Sequence, residues 1–429
     1  MSKATASTSE FKAGWPVLVA AMAGFYVQAT FNFTIGAFIA PIEAEFGWTR
    51  AQISIGVTVI TLAGAALSIP IGMLVDRWGP RRLGVPGSII FAITFGLPAL
   101  TNSNIWVWWG LWLLLAFAFV AIKPLIWTTA VASTFDRKRG IALAIALCGN
   151  GLASTFAPSL ATWAIDAFGW RMAFPVIGAI VGLSAFPILY FGLHSGADVG
   201  KGKRANQARK EQATRAGEAA KAAPPVSGSG AIEAFKSPQF FKLALAAFLF
   251  TFAAIGIVPN LIPILSSVGI SRVEAAAIAG VAGLASIGGR LVTGVLLDRF
   301  NPNIIAGTIV VLPIASCLLL LAAPGDASVA ILAAFIIGAA LGSEVDVIAF
   351  MTARLFGTAR YGTIFGAIAA LWSIASGTSM PIVNLIYDMT GGYELALKFA
   401  IPIFAVTSAL LFALGKPLDF EGSAAASGQ

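Results

Sequence analysis

Arg290 stands in the apolar stretch "VAGLASIGGRLVTGVLLDRF" (281–300), directly after Gly288 and Gly289. A guanidinium stays charged at any biological pH, and its planar fork of N–H donors fits a carboxylate through two parallel hydrogen bonds. Three further charges are as far from polar sequence: Lys123 in "FAFVAIKPLIWTTAVASTF", and Glu344 with Asp346 in "IIGAALGSEVDVIAFMTARLF". On helices, Arg290 would lie about 12 Å from Asp298 and Lys123 about 20 Å from Asp136, at a rise of roughly 1.5 Å per residue. Cations at such depth could receive an organic anion, and acids beside them could take up and release protons. The competing use is structural, an arginine on backbone carbonyls or a buried charge pair holding helices together.

Glu344 and Asp346 are about 200° apart around a helix, so one faces a cavity and the other a neighbour. Glu344 is the first candidate for proton coupling because it lies 221 positions after Lys123, a spacing that acquires meaning below. Asp346 is the second. Uncharged groups at helical spacing extend the candidate substrate site: Gln28 with Asn32, Asn150 with Ser154, and Asn260 ahead of Pro263. Trp127 and Trp372 fall inside apolar runs, where an indole could stack a planar substrate or fill a core.

The elements that must position these groups are set by composition. The chain has 429 residues, 58% hydrophobic and 11% charged, against about 25% charged in soluble domains. Its mean hydropathy is +0.88. The apolar runs number about twelve, beginning near Trp15, Ile53, Leu83, Ile105, Gly140, Met172, Pro238, Val273, Ile304, Val329, Gly362 and Leu395, each long enough to cross a bilayer. An all-α integral membrane protein is expected. The net charge of +8 comes from short basic clusters between these runs, which argues for topology and against nucleic acid. One histidine, His194, and two cysteines, Cys148 and Cys317, show no metal-ligand spacing, so no metal and no cofactor is expected.

A polar, basic, then Pro/Ser/Gly-rich stretch between runs six and seven cannot bury enough apolar surface to fold alone. It divides the chain into a first six-helix half (1–194), a linker (195–236) and a second half (237–429). Arg77, Arg81, Arg82, Arg137, Lys138, Arg139, Arg299 and Arg360 fall on the linker's side, whereas Arg50, Arg171, Arg272 and Lys398 fall on the other. The excess of basic residues places both termini and the linker in the cytoplasm.

The halves resemble each other. "GMLVDRWGPRR" (72–82) recurs as "GVLLDRFNPN" (294–303) at a shift of 222, and "DAFG" (166–169) recurs as "DMTG" (388–391) at the same shift. "FDRKRG" (135–140) meets "FGTARYG" (356–362) at a shift of 221. A six-plus-six repeat is an architecture in which transporters hold substrate between halves, near the midplane.

Over nearly its whole length the chain resembles the major facilitator superfamily. The loop between spans two and three carries that family's signature complete, in Gly72, Leu74, Asp76, Arg77, Gly79, Arg81 and Arg82. The resemblance implies a conformational latch at Gly72, Asp76, Arg77, Arg81 and Arg82, echoed by Asp298 and Arg299. "FIAPIEAEFGWTRAQIS" (38–54) and "FDRKRGIALAIALCGNG" (135–151) are similar to the monocarboxylate-transporter and oxalate/formate-antiporter branch. In monocarboxylate transporters an eighth-span arginine binds the substrate carboxylate, and Arg290 matches its position. Three departures follow: the first-span lysine of the animal monocarboxylate transporters falls at or near Phe33, Ser286 replaces the aspartate four residues before their arginine, and the oxalate antiporter's span-eleven lysine has no counterpart between Gly362 and Tyr387.

The expectation is therefore a monomeric secondary transporter of a small carboxylate, coupled to protons, among the lipids of a bacterial inner membrane. Anion exchange is the alternative mode, and a non-transporting nutrient sensor the alternative class. An enzyme is not expected, because no nucleophile, metal cluster or acid–base pair is evident.

Overall fold

The computed structural model describes residues 2–135, 139–194, 231–357 and 361–415, and these are helical almost throughout. α1 (Ser2–Phe46) makes the first pass; α2 (Arg50–Ala66) and α3 (Ser68–Trp78) share the second. α4 (Pro80–Thr94) is the third, and α5 (Ile105–Val120) with α6 (Pro124–Ala132) the fourth. α7 (Arg139–Gly192) holds two passes, because Gly169, at φ 75° and ψ 158°, reverses the chain within it. Only a residue without Cβ takes that conformation cheaply.

The short α8 (Ala231–Lys236) leads into α9 (Pro238–Ile257) and α10 (Leu261–Ser267), the seventh pass. The remaining passes are α11 (Arg272–Arg299), α12 (Pro302–Ala322), α13 (Ala327–Phe356), α14 (Tyr361–Thr390) and α15 (Glu394–Phe412). Ten helical segments are long and apolar enough to cross a membrane. One is the double-length hairpin around Gly169, and the broken second pass adds a further crossing, so the described residues make twelve passes, in line with the apolar runs. The linker expected at 195–236 lies outside the described residues up to 230; 231–236 is α8.

Large apolar side chains such as Ile93, Leu183 and Phe191 are exposed around the bundle. In a bilayer that surface meets acyl chains, so it carries no hydrophobic penalty, and close contact between helices must come from packing. Small residues supply it. A Cβ on Gly36 would sit 2.2 Å from the Pro259 carbonyl oxygen, joining passes one and seven, and one on Gly283 would sit 2.2 Å from the Thr155 backbone nitrogen, joining passes eight and five.

Candidate functional site

A tight seam of glycines on backbone lies between α11 and α13. Gly289 packs on the Ala339 carbonyl, Gly338 on that of Ala282 and Gly342 on that of Ser286, each so close that a Cβ would fall 2.0–2.2 Å from the oxygen. One turn along, Thr293 Oγ1 donates to Ser343 Oγ at 2.7 Å. This zipper fixes the rotation of both helices and turns Arg290 toward Asp346, whose Oδ1 accepts from Nη1 at 3.1 Å. The Arg290 side chain is 8% exposed and that of Asp346 28%, so the pair is mostly desolvated and still reachable. Asp346 Oδ2 is buried and has no hydrogen-bond partner among the described residues. Gly288 lies on the outer face of α11 with exposed Leu284, Leu291 and Val292, away from the pair. Cys148 of α7 lies within electrostatic range of both Arg290 and Asp346, so the fifth pass borders the pair.

Glu344 turns the other way. It is almost fully buried, and Thr251 Oγ1 of α9 donates to its Oε1. Its described partner therefore lies in the seam between passes seven and ten, and Asp346, the second coupling candidate, is the acid that meets Arg290. Lys123 stands at the break between α5 and α6, in extended backbone just before Pro124. Its Cε lies 3.0 Å from where a Cβ on Gly64 would be, so the side chain runs along the second pass. Asn260 closes a one-turn break between α9 and α10; its amide donates to the Gly256 carbonyl at 2.8 Å, and its Oδ1 has no partner.

Gln28 Oε1 and Asn150 Oδ1 are likewise buried, with no hydrogen-bond partner among the described residues. Asn32 is half-buried, and its neighbour Phe33 lines a small void with Ser154, Pro158, Pro259, Ile262 and Ala279 where four passes meet. Trp372 is half-buried. Trp127 departs from the expected substrate contact. It is fully buried against Gly24 and Gly84, with its indole N–H on the Ile122 carbonyl at 2.9 Å, and so fills a core.

Of the expected latch, the side chains of Gly72, Asp76 and Asp298 lie outside the described residues. Arg77, Arg82 and Arg299 are exposed. Arg81 donates to the Tyr190 carbonyl at 2.9 Å, tying the loop to the end of the sixth pass. Sequence reasoning missed Thr251, Thr293 and Ser343; the glycines at 338 and 342, four apart on one helix, were a readable sign of the seam that carries the site.

Twelve passes among the described residues, a signature loop and a largely buried Arg290–Asp346 pair are those of a polytopic membrane transporter. The model of the Major Facilitator Superfamily matches residues 20–380, and the chain belongs to that family. Human Monocarboxylate transporter 11 is 28% identical over 169 residues, which is 39% of this chain and 35% of that protein, so the match spans about a third of the relative. Monocarboxylate transporter 13 of Bos taurus is 23% identical across 94% of this chain and 89% of its own. The Escherichia coli (strain K12) protein called uncharacterized MFS-type transporter YhjX is 24% identical across 83% and 82%. Among solved structures, a bacterial homolog of the human lysosomal transporter Spinster, inward-facing and unoccupied, superposes with a TM-score of 0.69 at 18% identity over 93% of this chain and 96% of its own. The D-xylose-proton symporter gives 0.71 at 13% identity over 94% and 99%. At these identities the structures establish fold.

Proposed function

We propose that the chain carries a small organic monocarboxylate together with a proton, and that Arg290 and Asp346 perform the exchange of partners that links them. The carrying observation is the pair itself. Asp346 holds Arg290 through one oxygen only, and its other oxygen has no hydrogen-bond partner among the described residues. A substrate carboxylate competes for the guanidinium with two hydrogen bonds against one. Once displaced, Asp346 stays in a largely dry setting without its cation, where an unpaired carboxylate is costly, and takes a proton. One anion and one proton enter together, so the loaded site keeps the net charge of the empty one. Loading and protonation are then thermodynamically linked.

The names of the monocarboxylate relatives support the substrate class. The basic loop at Arg77, Arg81 and Arg82 supports an orientation with that end in the cytoplasm. Anion exchange is the second reading, and Lys123 is the observation that favours it, since a second cation at a helix break suits a dianion. A thermal-shift screen of small carboxylic acids identifies the ligand, because a molecule that binds the folded state raises its stability. Accumulation of that acid in proteoliposomes under an imposed pH gradient then supports symport; uptake only against preloaded anion supports exchange.

A further inference from the structure

The end of the bundle opposite Arg77 and Arg81 carries the same device twice, at a shift of 222. Thr49 and Ser271 cap the helices α2 and α11, Arg50 and Arg272 begin them, and Gln52 and Glu274 follow at the third position. Their partners repeat too. Asp166 and Asp388 each stand three residues before a glycine in the left-handed region, Gly169 at φ 75° and Gly391 at φ 74°. Each aspartate reaches across to the helix start of the other half.

The two copies differ in what surrounds them. Asp388 accepts from the backbone N–H of Arg50 at 3.0 Å and of Ala51 at 2.9 Å, capping α2 from the far side of the molecule. The Arg50 guanidinium lies 3.6 Å over the Tyr387 ring, donates to the Tyr393 hydroxyl at 3.1 Å and pairs with Glu43 at 2.9 Å. Tyr393 donates in turn to Asn384 at 2.9 Å, and Asn384 to Ser54 at 2.6 Å, in a fully buried chain. Burial pushes the Tyr393 hydroxyl well above its usual range, which keeps it a donor. In the other copy Arg272 and Asp166 stand 3.8 Å apart and well exposed. Thr162 occupies the place of Asn384, with its hydroxyl unpartnered, and Arg171 that of Tyr393.

The seams behind the two clasps differ in kind as well. Behind Arg272, Gly280 and Gly283 bring α11 against the Thr155 backbone, a contact of small residues with little to unmake. Behind Arg50 the seam is held by side chains, down to Thr58, whose hydroxyl donates to the Gly377 carbonyl. We propose that the Arg50–Asp388 clasp is the gate that closes this end of the transport path, and that its pseudo-equivalent at Arg272 and Asp166 marks the pivot about which the seam opens. Placing this end outside the cell rests on the orientation proposed above; the gate and pivot do not.

A cross-link across the seam reads the gate directly. A Cβ on Gly377 falls 3.3 Å from that of Thr61, near the roughly 3.8 Å span of a disulfide. In a Cys148→Ser, Cys317→Ala background, Thr61→Cys with Gly377→Cys should oxidise readily, without substrate or pH gradient. Adding Asp388→Asn should slow oxidation about fivefold or more, and Tyr393→Phe about twofold, as the open population grows. Asp166→Asn should change it less than twofold. If Asp388→Asn fails to fold, Tyr393→Phe carries the test. Unaltered oxidation in the folded Arg50-side variants, or equal slowing by Asp166→Asn, overturns the assignment. Because no substrate is present, either outcome leaves the carboxylate reading standing, and failure of that reading leaves the gate standing.

Discussion

Asp346 and Glu344 are two residues apart on α13 and have different surroundings. Asp346 faces Arg290 with one oxygen paired, one orphaned and a quarter of its side chain open. Glu344 is buried on the hydroxyl of Thr251. Depth in the membrane is nearly the same for both, so depth does not select the acid that moves protons. What distinguishes them is a cation that a ligand can take away. An acid whose partner is a hydroxyl on a packed helix has no event to respond to, whereas on the proposed reading an acid paired with the substrate-binding arginine responds to loading.

The comparison can be broken from the arginine's side with the largest effect. Arg290→Lys keeps the charge and loses the fork, so carboxylate affinity should fall about 10- to 100-fold, as expected for losing a charged hydrogen bond worth roughly 1.5–3 kcal/mol. Isothermal titration with the acid found by thermal shift measures this; unchanged affinity in the folded variant would remove Arg290 from the site.

The seam offers the next test. Gly342→Ala puts a methyl group 2.0 Å from the Ser286 carbonyl oxygen and should destabilise the protein by about 1–3 kcal/mol through overpacking. Gly288→Ala meets nothing within 4 Å and should keep or slightly raise the melting temperature, because alanine is the better helix former. Equal melting shifts for the two would mean that the glycine zipper does not set the orientation of Arg290 and Asp346. The smallest effect belongs to Glu344→Gln. An amide oxygen still accepts from Thr251, so stability should change by about 1 kcal/mol or less, and pH-driven uptake should persist. Loss of accumulation in a stable Glu344→Gln protein would move the coupling role to the seventh-pass seam.

The passes themselves were legible because a bilayer demands runs of about 20 apolar residues, and composition records that demand directly. Arg290 stood out for the same reason, as a charge where insertion is costly. The partner of Arg290 did not stand out. Repeat arithmetic pairs Lys123 with Glu344 because it registers depth along helices, and it carries no information on rotation about them. Rotation is decided by the packing of Gly289, Gly338 and Gly342 on backbone oxygens, a three-dimensional fit. The clasp at Arg50 was half legible in the same way. Its arginine and aspartate repeat between halves, whereas Tyr387, Tyr393 and Asn384, which make the two copies unequal, are matched at their repeat positions by the unlike Ile165, Arg171 and Thr162. Trp127 was ambiguous for a related reason, since an indole inside a span reads alike whether it meets substrate or two glycines.

Asp346→Asn, reconstituted and measured in two assays, tests the account most directly. The amide can still accept from Arg290 and cannot exchange a proton. Accumulation of the carboxylate under an imposed pH gradient should fall at least tenfold, while counterflow at equal pH should stay within about threefold of the parent, because exchange does not require the proton to leave. If Asp346→Asn still concentrates its substrate against a gradient as the parent does, the partner exchange at Arg290 is not the coupling step.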